Sequence, residues 1–206
     1  DELVSSPGVD AVNFFGQEKT GETIAGKAAL KKLLFAIVSN NALIVMDDAN
    51  IEEAVNAAVG GCYGHNGQSP ISTRRILLHK DVHREFVDLF VEKTNGLVFG
   101  DPLDEKTDVG PVNNQNVLEM TMALIEDARG KGARFLTGGN NTEGLYIQPT
   151  VIDGVTADMT ITQEVTMGPV TAVMTFGNVD EAVELANSTR FGFQFGAFTS
   201  GLANAY

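Results

Sequence analysis

The chain offers one thiol, Cys62, and three histidines, and their placement limits the chemistry they can do. Cys62 lies on the apolar stripe formed by Ile51, Ala54, Val55, Ala58 and Val59, so helical spacing predicts a buried thiol. A buried cysteine behaves as a small hydrophobe, and no sequence neighbour would lower its pKa. His79 and His83 have the separation of a helical zinc pair. His79 closes a predicted strand, however, and His83 falls in the first turn of the next helix. The two share no face and have no third ligand, so a metal is not expected. Asp101, Asp104, Glu105 and Asp108 gather carboxylates in one loop, but not at the spacing of a calcium loop.

Gly16-Gln17-Glu18-Lys19-Thr20-Gly21-Glu22-Thr23 follows a predicted strand and opens a helix, the context of a phosphate loop. A triphosphate loop needs Lys directly after its second Gly to neutralise the β and γ phosphates. Glu22 holds that place and would repel them. A tight strand-to-helix turn that requires glycine is the plainer reading of Gly16 and Gly21.

The elements that position these residues alternate in type. Val12 to Phe15 reads as a short strand, followed by a helix from about Gly21 to Lys32. Leu33 to Val38 is a continuous apolar run, predicting a strand covered on both faces. Leu43 to Met46 is another strand. Asn50 with Glu53 forms a capping box at the start of the Cys62 helix, and Asn178 with Glu181 repeats the device late in the chain. Arg75 to His79, Arg134 to Leu136, Tyr146 to Ile152 and Val170 to Phe176 read as strands. Between them, helices are predicted from Asp81, with Phe86, Leu89 and Phe90 facing inward, and over Asn116 to Lys131. This alternation implies an α/β fold with a mostly parallel sheet and helices on both faces.

Composition excludes several function classes. Net charge is −13, from 27 acidic against 14 basic residues, which argues against nucleic acid and anionic membrane surfaces as partners. No apolar run approaches the ~20 residues needed to span a bilayer. A single cysteine precludes an internal disulfide, and with no basic-then-apolar leader in view the expected setting is cytoplasmic and reducing.

The segment GGCYGHNGQSPISTRRILLH resembles the active-site segment of the aldehyde dehydrogenase family. The family pattern there is Asn, any residue, Gly, Gln, any residue, Cys. Gly67 and Gln68 match, His65 stands at the Asn, and Pro70 stands at the Cys. Residues 5–32, 41–58, 98–111, 144–159, 167–170 and 186–200 are similar to successive family segments in the family's order. The resemblance implies a remnant of the cofactor-binding domain over residues 1–40 and an aldehyde dehydrogenase-like catalytic domain over residues 41–206. It also implies an internal segment of a longer protein, or a catalytic domain deliberately cut and rewritten.

The same resemblance locates three losses. Pro70 has no nucleophilic atom, so covalent capture of an aldehyde is not available there. Ala36 stands at the family's general-base Glu, and a methyl group takes no proton. Val165 stands at the Glu that holds the cofactor ribose, and Met167 stands at the Phe of the Phe-Gly-Pro turn. Glu164 is adjacent, but on a strand a one-residue shift would turn it to the other face.

Gly16 and Gly21 retain family positions near the nicotinamide end of the cofactor, with Gln17 replacing a Ser, and are the residual cofactor contacts the resemblance implies. The resulting expectation is an inactive aldehyde dehydrogenase-like domain serving as scaffold or oligomer partner, without cofactor. The alternative is an NAD(P)-dependent aldehyde oxidoreductase that uses altered residues or a cofactor half from another chain. The family assembles through this domain into dimers or tetramers, which implies a homo-oligomer or association with a related chain.

Overall fold

Strand alternation in the sequence becomes two separate sheets in the computed structural model, which describes residues 2–140 and 143–205. After a single helical turn α1 (Glu2–Ser5), strand β1 (Ala11–Gly16) runs parallel to β2 (Lys32–Ile37), with α2 (Glu18–Lys27) as the crossover. The helix begins earlier and ends earlier than the sequence predicts. Its end coincides with Ala29, which takes a left-handed conformation (φ 51°) that a helix does not continue through.

Expected cover on both faces of the Leu33–Val38 run is not observed. Side chains alternate along β2, and Leu34 remains 67% exposed beside Phe15 at 63%. Only one face of this two-stranded sheet meets α2; the apolar run signals burial that residues 1–206 do not supply.

The second sheet has six strands in the order β5-β6-β7-β4-β3-β8. These are β3 (Asn41–Val45), β4 (Thr73–His79), β5 (Arg134–Thr137), β6 (Thr150–Asp153), β7 (Val170–Phe176) and β8 (Phe195–Phe198). All pairings are parallel except β5 with β6. The expected strand from Tyr146 forms only at Thr150. Before it, Tyr146 N–H closes a turn onto the Glu143 carbonyl, and Pro149 has no N–H to donate to a ladder.

Period-two alternation sorts the strand side chains between two helical layers. Leu43, Val45, Ile76, Leu78 and Val173 pack with α3 (Ile51–Tyr63) and α4 (His83–Asn95). Ala42, Leu77, Ala172, Met174 and Phe176 pack with α5 (Gln115–Gly130), the short α6 (Thr160–Gln163) and α7 (Val179–Ala186). A short α8 (Leu202–Ala205) follows β8. The chain is therefore α/β, with a mostly parallel sheet covered by helices on both sides.

Side-chain caps set the helix starts. Asn50 accepts from Glu53 N–H and Asn178 from Glu181 N–H, as the sequence predicts. Asn114 caps α5 through Val117 N–H, moving that start one residue ahead of expectation. Asp81 does not open α4: the segment first turns through Val82 N–H to the His79 carbonyl, and the helix begins at His83.

Candidate functional site

The residues at 64–72 lie where α3 hands over to β4, at the amino ends of the large sheet's strands. Three consecutive residues, His65, Asn66 and Gly67, take left-handed backbone (φ 53°, 58° and 69°). Such a run costs conformational energy and persists only when its surroundings fix it. The Asn66 side chain does so by donating to the Pro111 carbonyl (3.1 Å) and accepting from Gly110 N–H (2.7 Å). Gln68 accepts from Asn113 N–H at 2.9 Å. A side chain at Gly67 would put a Cβ 2.2 Å from the Gly168 carbonyl oxygen, so only glycine lets the two segments touch.

A buried cation ties this loop together. Arg74 donates to the carbonyls of Ser72, Thr166, Ser69 and Gly67, joining the 67–72 loop to the 166–168 turn. Burial pulls its guanidinium down to about 10, so it stays charged at neutral pH. Asn41, at the start of β3, donates to the carbonyls of Pro70 (2.7 Å) and Ser72 (2.9 Å).

What the loop offers chemically is limited. Beside it lies a cavity of about 300 Å³ lined by His65, Ser69, Ser72 and Thr73. Ser72 Oγ accepts from Ser69 N–H, and Ser69 Oγ from Ile71 N–H, so both hydroxyls shape the turn. Pro70 contributes only its backbone. Cys62 is 1% exposed, and burial pushes its thiol up to about 12, opposed by a hydrogen bond to Thr171 and by the charge of Arg74. The core position expected for Cys62 is the one it occupies.

Ala36 sits in β2 opposite Phe15, and neither Ala36 nor Pro70 lines the cavity beside the loop or the larger one beside α5. Other sequence-flagged positions do converge. A larger cavity, about 440 Å³, is lined by Gln17, Val38, Val165 and Met167 from segments far apart in sequence, with Met120 and Leu124 of α5. Gly16 and Gly21 flank it without lining it. A Cβ at Gly21 would stand 2.9 Å from Ile37 Cδ1, so this glycine lets α2 pack on β2.

Glu164 behaves differently from its predicted orientation. It lies past the end of α6 and outside any strand, so the alternation argument does not apply there. Both Glu164 and Val165 line the larger cavity. Glu164 meets Arg190 through both carboxylate oxygens (3.2 and 3.1 Å), while Arg190 Nε donates to Glu18 at 2.9 Å. Hydrogen bonds to Glu164 and then Glu18 hold the Arg190 pKa above its ordinary value, and Phe191 lies beneath its guanidinium. Arg190 thus joins α2 of the small sheet to the large one at the cavity mouth.

Sequence reasoning missed Arg74 and Arg190. Two adjacent arginines opening an otherwise apolar strand were a usable signal for Arg74. Arg190 had none, because its partners lie 26 and 172 residues away. Two of the three histidines are partnered within the fold, His79 with the Gly177 carbonyl (3.1 Å) and His83 with Asp153 (2.8 Å), while His65 lines the smaller cavity. Among the described residues no group of His, Cys, Asp and Glu is placed to hold a metal ion. Among them, too, no helix is long and apolar enough to cross a membrane.

Comparison with known proteins gives consistent results. A family model described as the aldehyde dehydrogenase family matches residues 1–206. The chain is 38% identical over 203 residues to a sulfoacetaldehyde dehydrogenase of Neptuniibacter caesariensis, covering 98% of this chain and 44% of that protein. The solved NAD-dependent aldehyde dehydrogenase from Sinorhizobium meliloti superposes with a TM-score of 0.95 at 33% identity, over 98% of this chain and 41% of that one. A glyceraldehyde-3-phosphate dehydrogenase from Methanocaldococcus jannaschii, solved with NADP, gives 0.95 at 33% identity, over 99% and 44%. The chain therefore spans less than half the length of each of these relatives.

Proposed function

The chain belongs to the aldehyde dehydrogenase family, and we propose that it is a catalytically silent member that serves as a scaffold or as a partner in assembly. In this reading residues 1–40 are the end of a cofactor-binding domain and residues 41–206 form the catalytic domain. Pro70 stands at the nucleophile position, Ala36 at the base and Val165 at the ribose ligand. Its setting is a reducing one such as the cytoplasm.

The observation that carries the proposal is the state of the single thiol. Capture of an aldehyde as a thiohemiacetal requires a thiolate facing the substrate. Cys62 is packed on the buried face of α3 against the large sheet, with its pKa pushed up to about 12, and Pro70 has no reactive atom. Losing a covalent nucleophile typically costs on the order of 10⁶ in turnover.

The larger cavity supports the same reading. Its walls at Val38, Val165 and Met167 are apolar, and the charged residues in its lining are Glu18, Glu164, Lys19 and Arg190. Ribose hydroxyls need hydrogen-bonding partners, and Val165, at the position of the ribose-binding carboxylate, offers none, so this wall does not fit the sugar of a pyridine dinucleotide.

Incubation of the purified chain with a panel of aldehydes and NAD⁺ or NADP⁺ tests the proposal. The expected outcome is no formation of reduced nicotinamide above the enzyme-free rate. Turnover that disappears in Cys62→Ala would overturn it and favour an oxidoreductase with altered residues.

A further inference from the structure

We propose that the cavity between α2, α5 and residues 164–167 binds a neutral, largely apolar small molecule of naphthalene-like size, in place of a pyridine dinucleotide. Its volume of about 440 Å³ lies within the range of small-molecule sites. Val38, Met120, Ala123, Leu124, Val165 and Met167 form continuous walls contributed by three separate parts of the chain. Val38 and Leu124 are themselves buried, so those walls belong to the packed core. An aromatic or branched aliphatic body gains by leaving water for such a surface.

The polar groups define the rest of the ligand. Gln17 is the one uncharged polar side chain in the lining, which suits a ligand with a single hydrogen-bonding atom. Around it stand two cations, Lys19 and Arg190, and two anions, Glu18 and Glu164. Arg190 is bonded to both carboxylates, and Lys19 supplies the second positive charge that balances them. An anionic ligand would find only Lys19 uncommitted and would lie against Glu18 and Glu164, and a cationic one would have to compete with Arg190 for those carboxylates. Neutral ligands face neither cost. The inference extends the proposed function but does not depend on the fate of Pro70, because its readout is binding and not turnover.

Titration with a neutral, solvatochromic dimethylaminonaphthalene ketone tests it. The expected result is saturable, blue-shifted emission with one dye per chain, undisplaced by millimolar NAD⁺ or NADP⁺. Met120, 47% exposed at the cavity wall, tolerates enlargement, so Met120→Trp is expected to fill the space and weaken binding by at least about tenfold. Val165→Glu, which places a carboxylate in the wall, is expected to weaken it similarly. Leu34→Lys, on the open face of the small sheet, is expected to leave binding unchanged. Unsaturable emission, indifference to both Met120→Trp and Val165→Glu, loss in Leu34→Lys, or displacement by either dinucleotide would each overturn the proposal.

Discussion

Burial holds the Cys62 thiol near a pKa of about 12, against 9.0 for an ordinary thiol, and this makes stability depend on pH in one direction. Below pH 9 both folded and unfolded chains keep the thiol protonated. Above it the unfolded chain ionises first, so folding is expected to weaken steadily from about pH 9 towards 12. Burial raises the Tyr63 hydroxyl as well, so Cys62→Ala should remove part of the alkaline loss and not all of it. Urea midpoints measured across that range check this, and an identical slope in both proteins would contradict it. Gly67 supplies a second residue-scale expectation. With φ +69° and the Gly168 carbonyl 2.2 Å from any added Cβ, Gly67→Ala is expected to cost about 2–4 kcal/mol. Gly144, also left-handed (φ +54°) but with open space around it, should lose only about 1 kcal/mol on the same change, read by thermal melting. Legibility at this scale follows distance along the chain. Asn50 and Asn178 bond three residues away and were readable. Arg74 reaches Thr166 and Arg190 reaches Glu18, contacts that exist only after folding.

Among the elements, α2 and the small sheet are joined to the large sheet by the Arg190 pair with Glu18 and Glu164. The guanidinium is about half exposed, at 48%, so the link is expected to contribute under about 1 kcal/mol to global stability. Its effect should be local. Arg190→Met is predicted to speed amide hydrogen exchange across residues 18–27 while leaving α3 and α4 unchanged; equal exchange in α2 would contradict the link. In the large sheet the edge strand β8, Phe195–Phe198, interrupted by Gly196 and half exposed, was not legible. The other five of its six strands were legible because alternation and apolar runs report burial directly. The small sheet misled for the same reason. Leu33, Leu34 and Phe35 read as a fully covered strand, yet Leu34 is 67% exposed. Hydrophobic pattern encodes the burial a strand is suited to, including cover that residues 1–206 do not provide. Glu164 shows the reverse failure: a facing argument borrowed from strands was applied to a segment that is irregular.

At the scale of the whole molecule, the exposed Phe15 and Leu34 and the unpaired edges of a two-stranded parallel sheet form a surface suited to partners. A net charge of −13 opposes indiscriminate clumping, so specific association is the expected behaviour. Light scattering should give a mass above one chain at high concentration, and Leu34→Lys should lower it; a single-chain mass for wild type at every concentration would remove the expectation. Membership of the aldehyde dehydrogenase family was legible in the sequence because its segments persist in order, whereas the convergence of Val38, Val165 and Met167 on one cavity needed the fold. The central claim is that the folded chain presents no reactive thiol, neither at position 70 of the 64–72 loop nor at Cys62. Intact-mass spectrometry of the native chain after iodoacetamide at neutral pH, run beside Pro70→Cys, tests it most directly. Wild type is expected to keep its unmodified mass while Pro70→Cys gains one adduct, and an adduct on Cys62 of the folded wild-type chain would contradict the claim.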